Sequence, residues 1–248
     1  MAKSAWGWCV LGLALIVSVK YLADGNVARS KAMVAEPKSY ICQRASGAVN
    51  VDGKLNDVAW SKADWTEFFV DIEGDAKPRP AYKTRVKMLW DNDYFYFAAD
   101  LEEPHVWGTL TKRDSVIFHD NDFEVFIDPN GDRDEYYELE INALNTVWDL
   151  FLPKPYRDGG KAQDNWDIKG LLTAVQVNGT LNDPRDRDKG WTVEMAIPWS
   201  VLGEYAHKAA PPANPFDVEL TAEFAFAGTN GPRLTVPGFY DGNGIWRI

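Results

Sequence analysis

The sequence predicts an all-β protein: an antiparallel β-sandwich of the immunoglobulin-like or jelly-roll-like kind, with one short helical segment. Three observations predict it. About seven or more short runs alternate apolar and polar residues, as half-buried strands do, and turn residues separate these runs at nearly regular spacing. No helix-length segments alternate with the runs, so the pattern of a parallel βαβ protein is missing. Two packed antiparallel sheets bury one face of every such strand.

The first runs predict two pairs of neighbouring strands. Thr84–Trp90 alternates, reaches a group of turn residues and continues as Tyr94–Leu101, which is the pattern of a hairpin. Phe123–Asp128 places its apolar residues on one face, and the turn-rich segment 129–134 leads into the alternating segment Tyr136–Ala143. We therefore expect these two segments to pair as well.

The later runs predict three further strands and the helical segment. The strands are Thr146–Leu152, Leu171–Val177 and Trp191–Ile197, and the last two are bridged by the turn-rich segment Asn178–Gly190. Pro198–Ala206 has Pro, Trp and Leu at helical spacing. It is the segment that we predict to be helical.

The chain divides into an export segment, a linker and the sandwich. Ala5–Val19 is an uncharged, mostly apolar run that is long enough for a signal-peptide core and short for a membrane span. We interpret residues 1–23 as a signal peptide or a signal anchor, since the cleavage motif is poor, and 24–48 as a linker. The sandwich is expected at 49–248. An extracytoplasmic location follows: periplasmic, secreted or at the cell surface.

Charge and composition narrow the class of ligand. The net charge is −11, which disfavours nucleic acid and anionic lipid, because both need a basic face. A membrane is therefore expected as a partner only through the N-terminal segment. Eleven Trp, ten Tyr and twelve Phe residues can fill a β core, but they also suit the flat apolar faces of sugar rings. Cys42 would be alone in a chain without the leading segment, so no intrachain disulfide is expected.

Carboxylates are abundant, but signatures of catalysis are missing. The sequence has no Ser elbow, P-loop, dinucleotide turn or zinc-helix motif, so no catalytic residues are assigned. Glu138 and Glu140 lie on one strand face, and a glycosidase would need one such carboxyl in a cleft with a raised pKa. We interpret this pair as a solvated strand face.

The turn after Phe123–Asp128 is a candidate calcium site. It carries oxygen ligands at every second position, a spacing that lets one loop turn several oxygens toward a hard cation. The same residue types also build an ordinary hairpin turn, and this alternative stays open. With the nearby Glu138, the candidate metal ligands are Asp128, Asn130, Asp132, Asp134 and Glu138.

Four segments, taken in order along the chain, resemble sequence motifs of one known family. They are Val51–Trp60 (VDGKLNDVAW), Lys87–Tyr96 (KMLWDNDYFY), Asp120–Asp128 (DNDFEVFID) and Trp191–Trp199 (WTVEMAIPW). They are similar to segments of the family 9 carbohydrate-binding modules. A bacterial, family-9-like branch is the most similar, and it is matched by Tyr136–Leu150, Lys154–Gly160 and Gly190–Glu194.

The resemblance implies a β-sandwich with bound calcium and a sugar site flanked by two aromatic side chains. It covers about Tyr40 to Leu202. Phe118 stands where well-known members have their first sandwiching Trp. From about residue 211 the closing strands of the family are not recognisable, so this part of the domain is atypical, although Val218–Ala227 still alternates like a strand.

Two loops carry the composition of a sugar site. A neutral sugar needs a planar apolar platform beside charged groups that hydrogen-bond its hydroxyls, and the loops 107–122 and 154–166 both supply these. Loops gather at the ends of a sandwich, so the two could form one groove. Alternatively, the Trp residues cover the core and the Arg–Asp pairs order the loops. The candidate carbohydrate-binding residues are Trp107, Arg113, Asp114, Phe118, Tyr156, Arg157 and Trp166.

The function predicted from these features is non-catalytic binding of a polysaccharide or oligosaccharide, in support of glycoside hydrolases outside the cytoplasm. A glycoside hydrolase acting on O-glycosyl bonds and a haem-binding electron-transfer domain of similar sandwich fold are the alternatives. The haem alternative would need axial ligands, for which Met88, Met195 and His119 are available. A structural or surface-assembly role is a further possibility.

Overall fold

The structure is a computed structural model that describes residues 40–71, 77–129 and 132–205, together with the backbone of strands at 221–225, 233–237, 239–240 and 245–247. The predicted export segment 1–23, the linker residues 24–39 and Asn130 lie outside the described residues. None of the helices in the described part of the chain combines the length and apolar character that crossing a bilayer requires.

The described chain forms two β-sheets. In chain order the strands are β1 (Ile41–Arg44), β2 (Thr84–Trp90), β3 (Tyr94–Leu101), β4 (Asp122–Asp128), β5 (Tyr136–Asn142), β6 (Val147–Leu152), β7 (Leu172–Asn178), β8 (Gly190–Pro198), β9 (Thr221–Ala225), β10 (Arg233–Pro237), β11 (Phe239–Tyr240) and β12 (Ile245–Arg247). The seven-stranded sheet has the order β11-β12-β1-β2-β3-β8-β7, and the five-stranded sheet has the order β10-β9-β4-β5-β6.

The predicted fold class is confirmed. Neighbouring strands pair antiparallel except for β1 and β2, which pair parallel. The predicted hairpin has the bounds of β2 and β3, and Phe123 of β4 pairs with Ile141 of β5, as expected. The α-helix in the described part, α1 (Trp199–Leu202), lies inside the predicted helical segment.

One boundary is corrected by the structure. Strand β1 lies within residues 24–48, which we predicted as a linker, so the folded part starts earlier than 49. Of the side chains of β1, only that of Cys42 is buried, and the strand is held through its backbone by β2 and β12. A strand that buries so little apolar surface leaves no alternating pattern to recognise.

The alternating apolar residues of the two sheets meet in one core. Burying each large side chain contributes about 1.5–3 kcal/mol, so this layer supplies most of the driving force for the sandwich. Met88 and Met195, considered above as haem ligands, are fully buried within it. The core residues of the central strands are Val86, Met88, Trp90, Phe95, Phe97, Phe123, Val125, Ile127, Tyr137, Leu139, Ile141, Trp191, Val193, Met195 and Ile197.

The segment Val51–Trp60 covers the opposite face of the seven-stranded sheet. Trp60 packs there in a second buried cluster with Leu89 and Tyr96. Its indole Nε1–H donates to Glu194 Oε1 at 2.7 Å. Gly53 has a φ of +83°, and a Cβ at this position would lie 2.7 Å from the backbone carbon of Val175. The family-like segment Val51–Trp60 therefore has a structural role: it packs against the outer face of the seven-stranded sheet.

Candidate functional site

A group of carboxylates lies on the face of the five-stranded sheet that points away from the core, among the residues the structure describes. Because side chains alternate along a strand, Asp122 and Glu124 of β4 share this face with Glu138 and Glu140 of β5. Glu124 lies directly opposite Glu140 in the register. Carboxylate oxygens of Asp122, Glu124 and Glu140 lie within 4.8 Å of one another, and Glu138 shares a side-chain hydrogen bond with Glu140. We call these four residues the carboxylate cluster.

The carboxylate cluster is buried. The exposed fractions are 0% for Asp122, 6% for Glu124, 5% for Glu138 and 1% for Glu140. The interpretation of Glu138 and Glu140 as a solvated strand face is therefore wrong. The short 3₁₀ turn Ile117–His119 lies against β5 and covers part of this face. Like charges placed directly opposite each other destabilise a sheet, so the repulsion between Glu124 and Glu140 must be offset in some way.

Burial and mutual repulsion change the protonation of this cluster. Burial, followed by the charges of Glu124 and Glu138, raises the pKa of Asp122 to about 9. Burial and the charges of Glu124 and Asp122 likewise raise the pKa of Glu140 well above its ordinary value. Without a positive charge beside them, Asp122 and Glu140 therefore favour the protonated, neutral form at neutral pH.

Two exposed aromatic side chains adjoin the carboxylate cluster. Phe118 is 48% exposed and Tyr156 is 52% exposed. The backbone N–H of Phe118 donates to Glu140 Oε2 at 3.0 Å, and its ring lies 6.0 Å from that of Trp148. Burial raises the pKa of the Tyr156 hydroxyl, and the charge of Glu138 raises it further. Two of the four aromatic candidates, Phe118 and Tyr156, are therefore exposed near this cluster.

Arg113 links the first of the two predicted loops to Asp167, the residue that directly follows the second. This side chain donates to Asp149 of β6 and to Asp167, at 3.1 Å from Nη2 to Oδ1 of Asp167. The other carboxylate oxygen of the buried Asp149 accepts the backbone N–H of Ile168 at 2.6 Å. Arg113 thus ties the first loop to the sheet and to the end of the second loop, which matches the alternative that it orders them.

The remaining polar candidates of these loops are exposed. Asp114 has a φ of +61° and lies 3.7 Å from Arg113. Arg157 and Asp158 form a 3.6 Å ion pair whose side chains are 77% and 60% exposed. Such a pair contributes about 0–1 kcal/mol to stability, so it is available to hydrogen-bond a ligand.

The two predicted tryptophan platforms lie elsewhere. Trp166 stacks on Tyr137 of the core, with ring centroids 4.6 Å apart and planes at 9°. It is partly buried against the core, as in the alternative reading of this loop. Trp107 is 42% exposed, and the flanking Gly108 exchanges hydrogen bonds with Asn182 in the loop between β7 and β8. Neither ring is placed beside Phe118 by a described contact.

The predicted calcium loop uses its oxygens for its own turn. Asp128 Oδ2 accepts the N–H of Arg133 at 2.6 Å, and Asp132 Oδ1 accepts the N–H of Asp134 at 2.8 Å. Glu138 belongs to the carboxylate cluster instead. Among the described residues, the acidic side chains of this loop and Glu138 do not come together as a group of three within reach of one ion.

Sequence reasoning missed Asp122, Glu124 and Glu140 as site residues. The signal was present, because the two alternating strands were expected to pair, and their second faces carry these carboxylates. What the pattern did not show is that loops bury this face.

Comparison with known families decides the identity of the domain. The family described as "Carbohydrate family 9 binding domain-like" matches residues 51–220, which is more than half of the chain. The chain belongs to this family. The resemblance seen in the four sequence segments to a family of carbohydrate-binding domains is therefore confirmed. A domain of unknown function (DUF5060) matches residues 197–248, which include the part that is atypical for the family.

Curated relatives are much longer enzymes. Exoglucanase XynX of Acetivibrio thermocellus is 25% identical over 179 residues, which are 72% of this chain and 14% of that protein. Endo-1,4-beta-xylanase A of Thermoanaerobacterium saccharolyticum is 24% identical over 212 residues, which are 86% of this chain and 15% of that protein. Endo-1,4-beta-xylanase C of Paenibacillus barcinonensis is 32% identical over 148 residues, 58% of this chain and 13% of that protein. The chain thus spans only about one seventh of the length of these relatives.

Two solved structures can be superposed on this chain. A candidate carbohydrate-binding protein from Bacteroides uniformis superposes with a TM-score of 0.55 at 12% identity, over 78% of this chain and 87% of that chain. A family 9 module from Caldicellulosiruptor kristjanssonii, in complex with cellotriose, gives a TM-score of 0.47 at 17% identity, over 82% and 85%. At 12% identity, the superposition on the Bacteroides uniformis protein shows a shared β-sandwich fold.

Proposed function

We propose that this family 9 domain binds β-1,4-linked polysaccharide chains, xylan or glucan, on the patch where Phe118 and Tyr156 adjoin the carboxylate cluster. The single observation that carries the proposal is that the exposed Phe118 lies against Glu140, to which its backbone N–H donates at 3.0 Å. The relatives named above are xylanases and an exoglucanase, which supports this class of sugar.

The patch has the chemistry that sugar recognition needs. The C–H faces of a pyranose ring pack on aromatic planes, and Phe118 and Tyr156 offer such planes to solvent. The Tyr156 hydroxyl can donate a hydrogen bond to a sugar hydroxyl or accept one from it. Arg157 and Asp158 stand next to Tyr156 as further exposed partners. Paired hydrogen bonds to sugar hydroxyls from the Arg157 guanidinium and the Asp158 carboxylate would fix the orientation of one sugar ring.

Titration calorimetry with xylo- and cello-oligosaccharides tests the proposal. Phe118→Ala and Tyr156→Ala should each weaken binding by about 1–3 kcal/mol, by analogy with the stacking of bases on aromatic rings. Tyr82→Ala is the matched control, because Tyr82 is also exposed, at 47%, and lies outside both loops. Wild-type affinity in both patch variants, with unchanged melting temperatures, would contradict this location.

Binding is proposed to be the whole activity of the chain. Because the curated relatives are glycoside hydrolases of which this domain covers a small share, a role in holding their substrate is the simplest assignment. A glycoside hydrolase needs a carboxyl group with a raised pKa, and Glu140 has one. The hydrolase alternative can therefore be tested at this residue. Release of reducing sugar from xylan or glucan by the purified chain, lost in Glu140→Gln, would contradict a purely binding role.

We also propose that the chain acts outside the cytoplasm. The support is the apolar run Ala5–Val19 and the nature of the ligand, since polysaccharides are broken down outside the cell. Fractionation of cells that express a C-terminally tagged chain tests this. Recovery of the tag from the cytoplasm alone would contradict it.

A further inference from the structure

We propose that the outer face of the seven-stranded sheet carries a second binding site, which takes an acidic sugar, the uronic acid unit of a polysaccharide. The site consists of two aromatic and three basic residues, which we call the basic patch: Trp65, Phe68, Lys83, Arg85 and Lys87. The carboxylate cluster, in contrast, belongs to the five-stranded sheet. The proposal rests on the proposed function only in that the ligand is a carbohydrate, and it adds a separate surface and a different class of sugar.

The three basic residues lie in a row on one face of the sheet. Arg85 and Lys87 alternate along β2 with core residues such as Val86, so their side chains lie on the outer face. Lys83 directly precedes β2 and continues the alternation, because the N–H of Glu102 still donates to its carbonyl oxygen at 2.8 Å. Successive basic residues are therefore about 6.6–6.8 Å apart along the strand.

Two aromatic rings hold these basic groups together. The guanidinium of Arg85 lies 4.2 Å from the ring centroid of Trp65, and the ammonium of Lys87 lies 4.6 Å from it. The ammonium of Lys83 and the guanidinium of Arg85 lie 5.2 and 5.7 Å from the ring centroid of Phe68. A cation within about 6 Å of a ring centroid is attracted to the face of the ring. Trp65 and Phe68 therefore gather three positive charges at one place on the surface, where Phe68 is 44% exposed.

The positive charges of the basic patch are only partly balanced. Nε and Nη2 of Arg85 donate to Oδ2 of Asp100, its register partner in β3, at 3.0 and 2.8 Å. Lys87 is opposite Ala98 in the register, which offers no carboxylate. Within the described ranges, no ion pair joins Lys83 or Lys87 to an acidic side chain. These two lysines therefore have charges that an anionic ligand would neutralise.

Lys87 is held in place without neutralisation of its charge. Its Nζ donates to the backbone carbonyl of Trp60 at 2.9 Å. Burial, followed by the charge of Arg85, lowers the pKa of Lys87, and the charge of Asp64 offsets only part of this. A carboxylate bound beside Arg85 and Lys87 would stabilise the charged form of both.

A uronic acid has the two features that the basic patch recognises. Its carboxylate accepts charge-assisted hydrogen bonds from ammonium groups, and its pyranose ring offers C–H groups to an aromatic ring such as Phe68. An acidic peptide would supply the charge but not this C–H face. The chain as a whole has 37 acidic against 26 basic residues, which disfavours long polyanions such as nucleic acid. A short run of negative charge on a polysaccharide fits this balance better.

Calorimetry at low ionic strength with two trisaccharides, neutral xylotriose and acidic trigalacturonate, tests the proposal. We expect the wild-type chain to bind trigalacturonate. Lys83→Gln and Lys87→Gln should each weaken that binding by about tenfold or more, the value of one hydrogen bond to a charged group. Phe68→Ala should weaken it by about fivefold or more, by analogy with the stacking of bases on aromatic rings. Binding of xylotriose, which we place at Phe118 and Tyr156, should stay at the wild-type value in all three variants.

Lys169→Gln is the matched control. It removes the same charge from an exposed position before β7, a strand that β3 and β8 separate from β2, and it should bind trigalacturonate as wild type does. Melting temperatures check the fold of each variant, and Lys83→Gln should keep the wild-type value because Lys83 is exposed. Raising the ionic strength from about 0.01 to 0.1 M shortens the Debye length from about 30 to 10 Å. This change should weaken the binding of trigalacturonate but not that of xylotriose.

The outcomes separate this site from the proposed function. No binding of trigalacturonate by the wild-type chain, unchanged binding in both lysine variants, or an equal loss in Lys169→Gln would overturn the basic patch as a site. Equally tight binding of tetraglutamate would also overturn it, because the patch would then recognise charge and not a sugar. A wild-type chain that binds trigalacturonate but not xylotriose would contradict the proposed function at Phe118 and support the basic patch.

Discussion

The indole ring of Trp166 lies flat on the phenol ring of Tyr137, with centroids 4.6 Å apart. Trp166 comes from the loop after β6, and Tyr137 belongs to the core face of β5, so this contact closes the edge of the core. We predict that Trp166→Ala lowers the free energy of unfolding by about 2–3 kcal/mol. That is less than the roughly 3–5 kcal/mol of a fully buried aromatic residue, because Trp166 is only partly buried.

Urea unfolding followed by circular dichroism measures this loss. Sugar affinity at a temperature where the variant is folded should stay at the wild-type value. Trp107→Ala serves as the comparison, because Trp107 is more exposed and should cost less stability. If Trp166→Ala kept wild-type stability but lost sugar affinity, Trp166 would have to be a sugar-binding residue after all.

A second prediction concerns the buried carboxylate that anchors the segment Val51–Trp60. Glu194 accepts three hydrogen bonds, from Trp60 Nε1 at 2.7 Å and from the N–H groups of Asp52 and Gly53 at 2.9 and 2.7 Å. In Glu194→Gln an NH₂ group must face at least one of these donors. We expect a loss of about 1–3 kcal/mol of stability, the cost of a buried donor left unsatisfied.

Thermal unfolding of Glu194→Gln beside Glu102→Gln isolates this effect. Glu102 is exposed and makes a single long contact, at 3.4 Å, with the N–H of Lys83. Its substitution should leave the melting temperature almost unchanged. Equal melting temperatures for the two variants would show that the three donors find other partners.

Most of the sandwich could be predicted from the sequence because its central strands are amphipathic. Alternation along β2, β3, β4, β5 and β8 reports which side chains face the core, and the structure places them there. Strand β1 was not predicted, because three of its four side chains are exposed and the strand is held by backbone pairing with β2 and β12. Periodicity reports burial, and a strand without burial has no such signal.

The site was harder to predict for the same reason. Alternation places Glu138 and Glu140 opposite the core, but it cannot show whether a loop covers that second face. The turn at Ile117–His119 does so, and it converts an apparent solvent face into a buried cluster. Phe118 and Tyr156 were predicted as sugar-binding residues from composition and family resemblance. The stacking of Trp166 on Tyr137, by contrast, depends on a loop path that residue spacing does not specify.

Acid should selectively weaken the loop between β7 and β8. Hydrogen bonds from the N–H groups of Thr180 and Val106 hold the pKa of Asp188 below its ordinary value. A carboxyl whose folded pKa is lowered contributes stability above its unfolded pKa, and that contribution is lost as the pH falls through the folded pKa. The stability difference between wild type and Asp188→Asn should therefore be largest above about pH 5 and shrink toward pH 2.

Urea unfolding at several pH values measures this difference. A difference between wild type and Asp188→Asn that stays constant from pH 6 to pH 2 would show that the two backbone bonds do not depend on the charge of Asp188.

The last prediction separates the two properties of Tyr156 that the proposed sugar site uses. Its ring is 52% exposed, and its hydroxyl is close enough to Glu138 for that charge to affect its pKa. Tyr156→Phe keeps the stacking plane and removes the hydroxyl, whereas Tyr156→Ala removes both. If stacking dominates, the Phe variant should lose at most about 0.5–1.5 kcal/mol, the net value of one hydrogen bond. The Ala variant should lose about 1–3 kcal/mol. Calorimetry with the same oligosaccharide ranks the three proteins, and equal losses in both variants would show that the hydroxyl, and not the ring, holds the sugar.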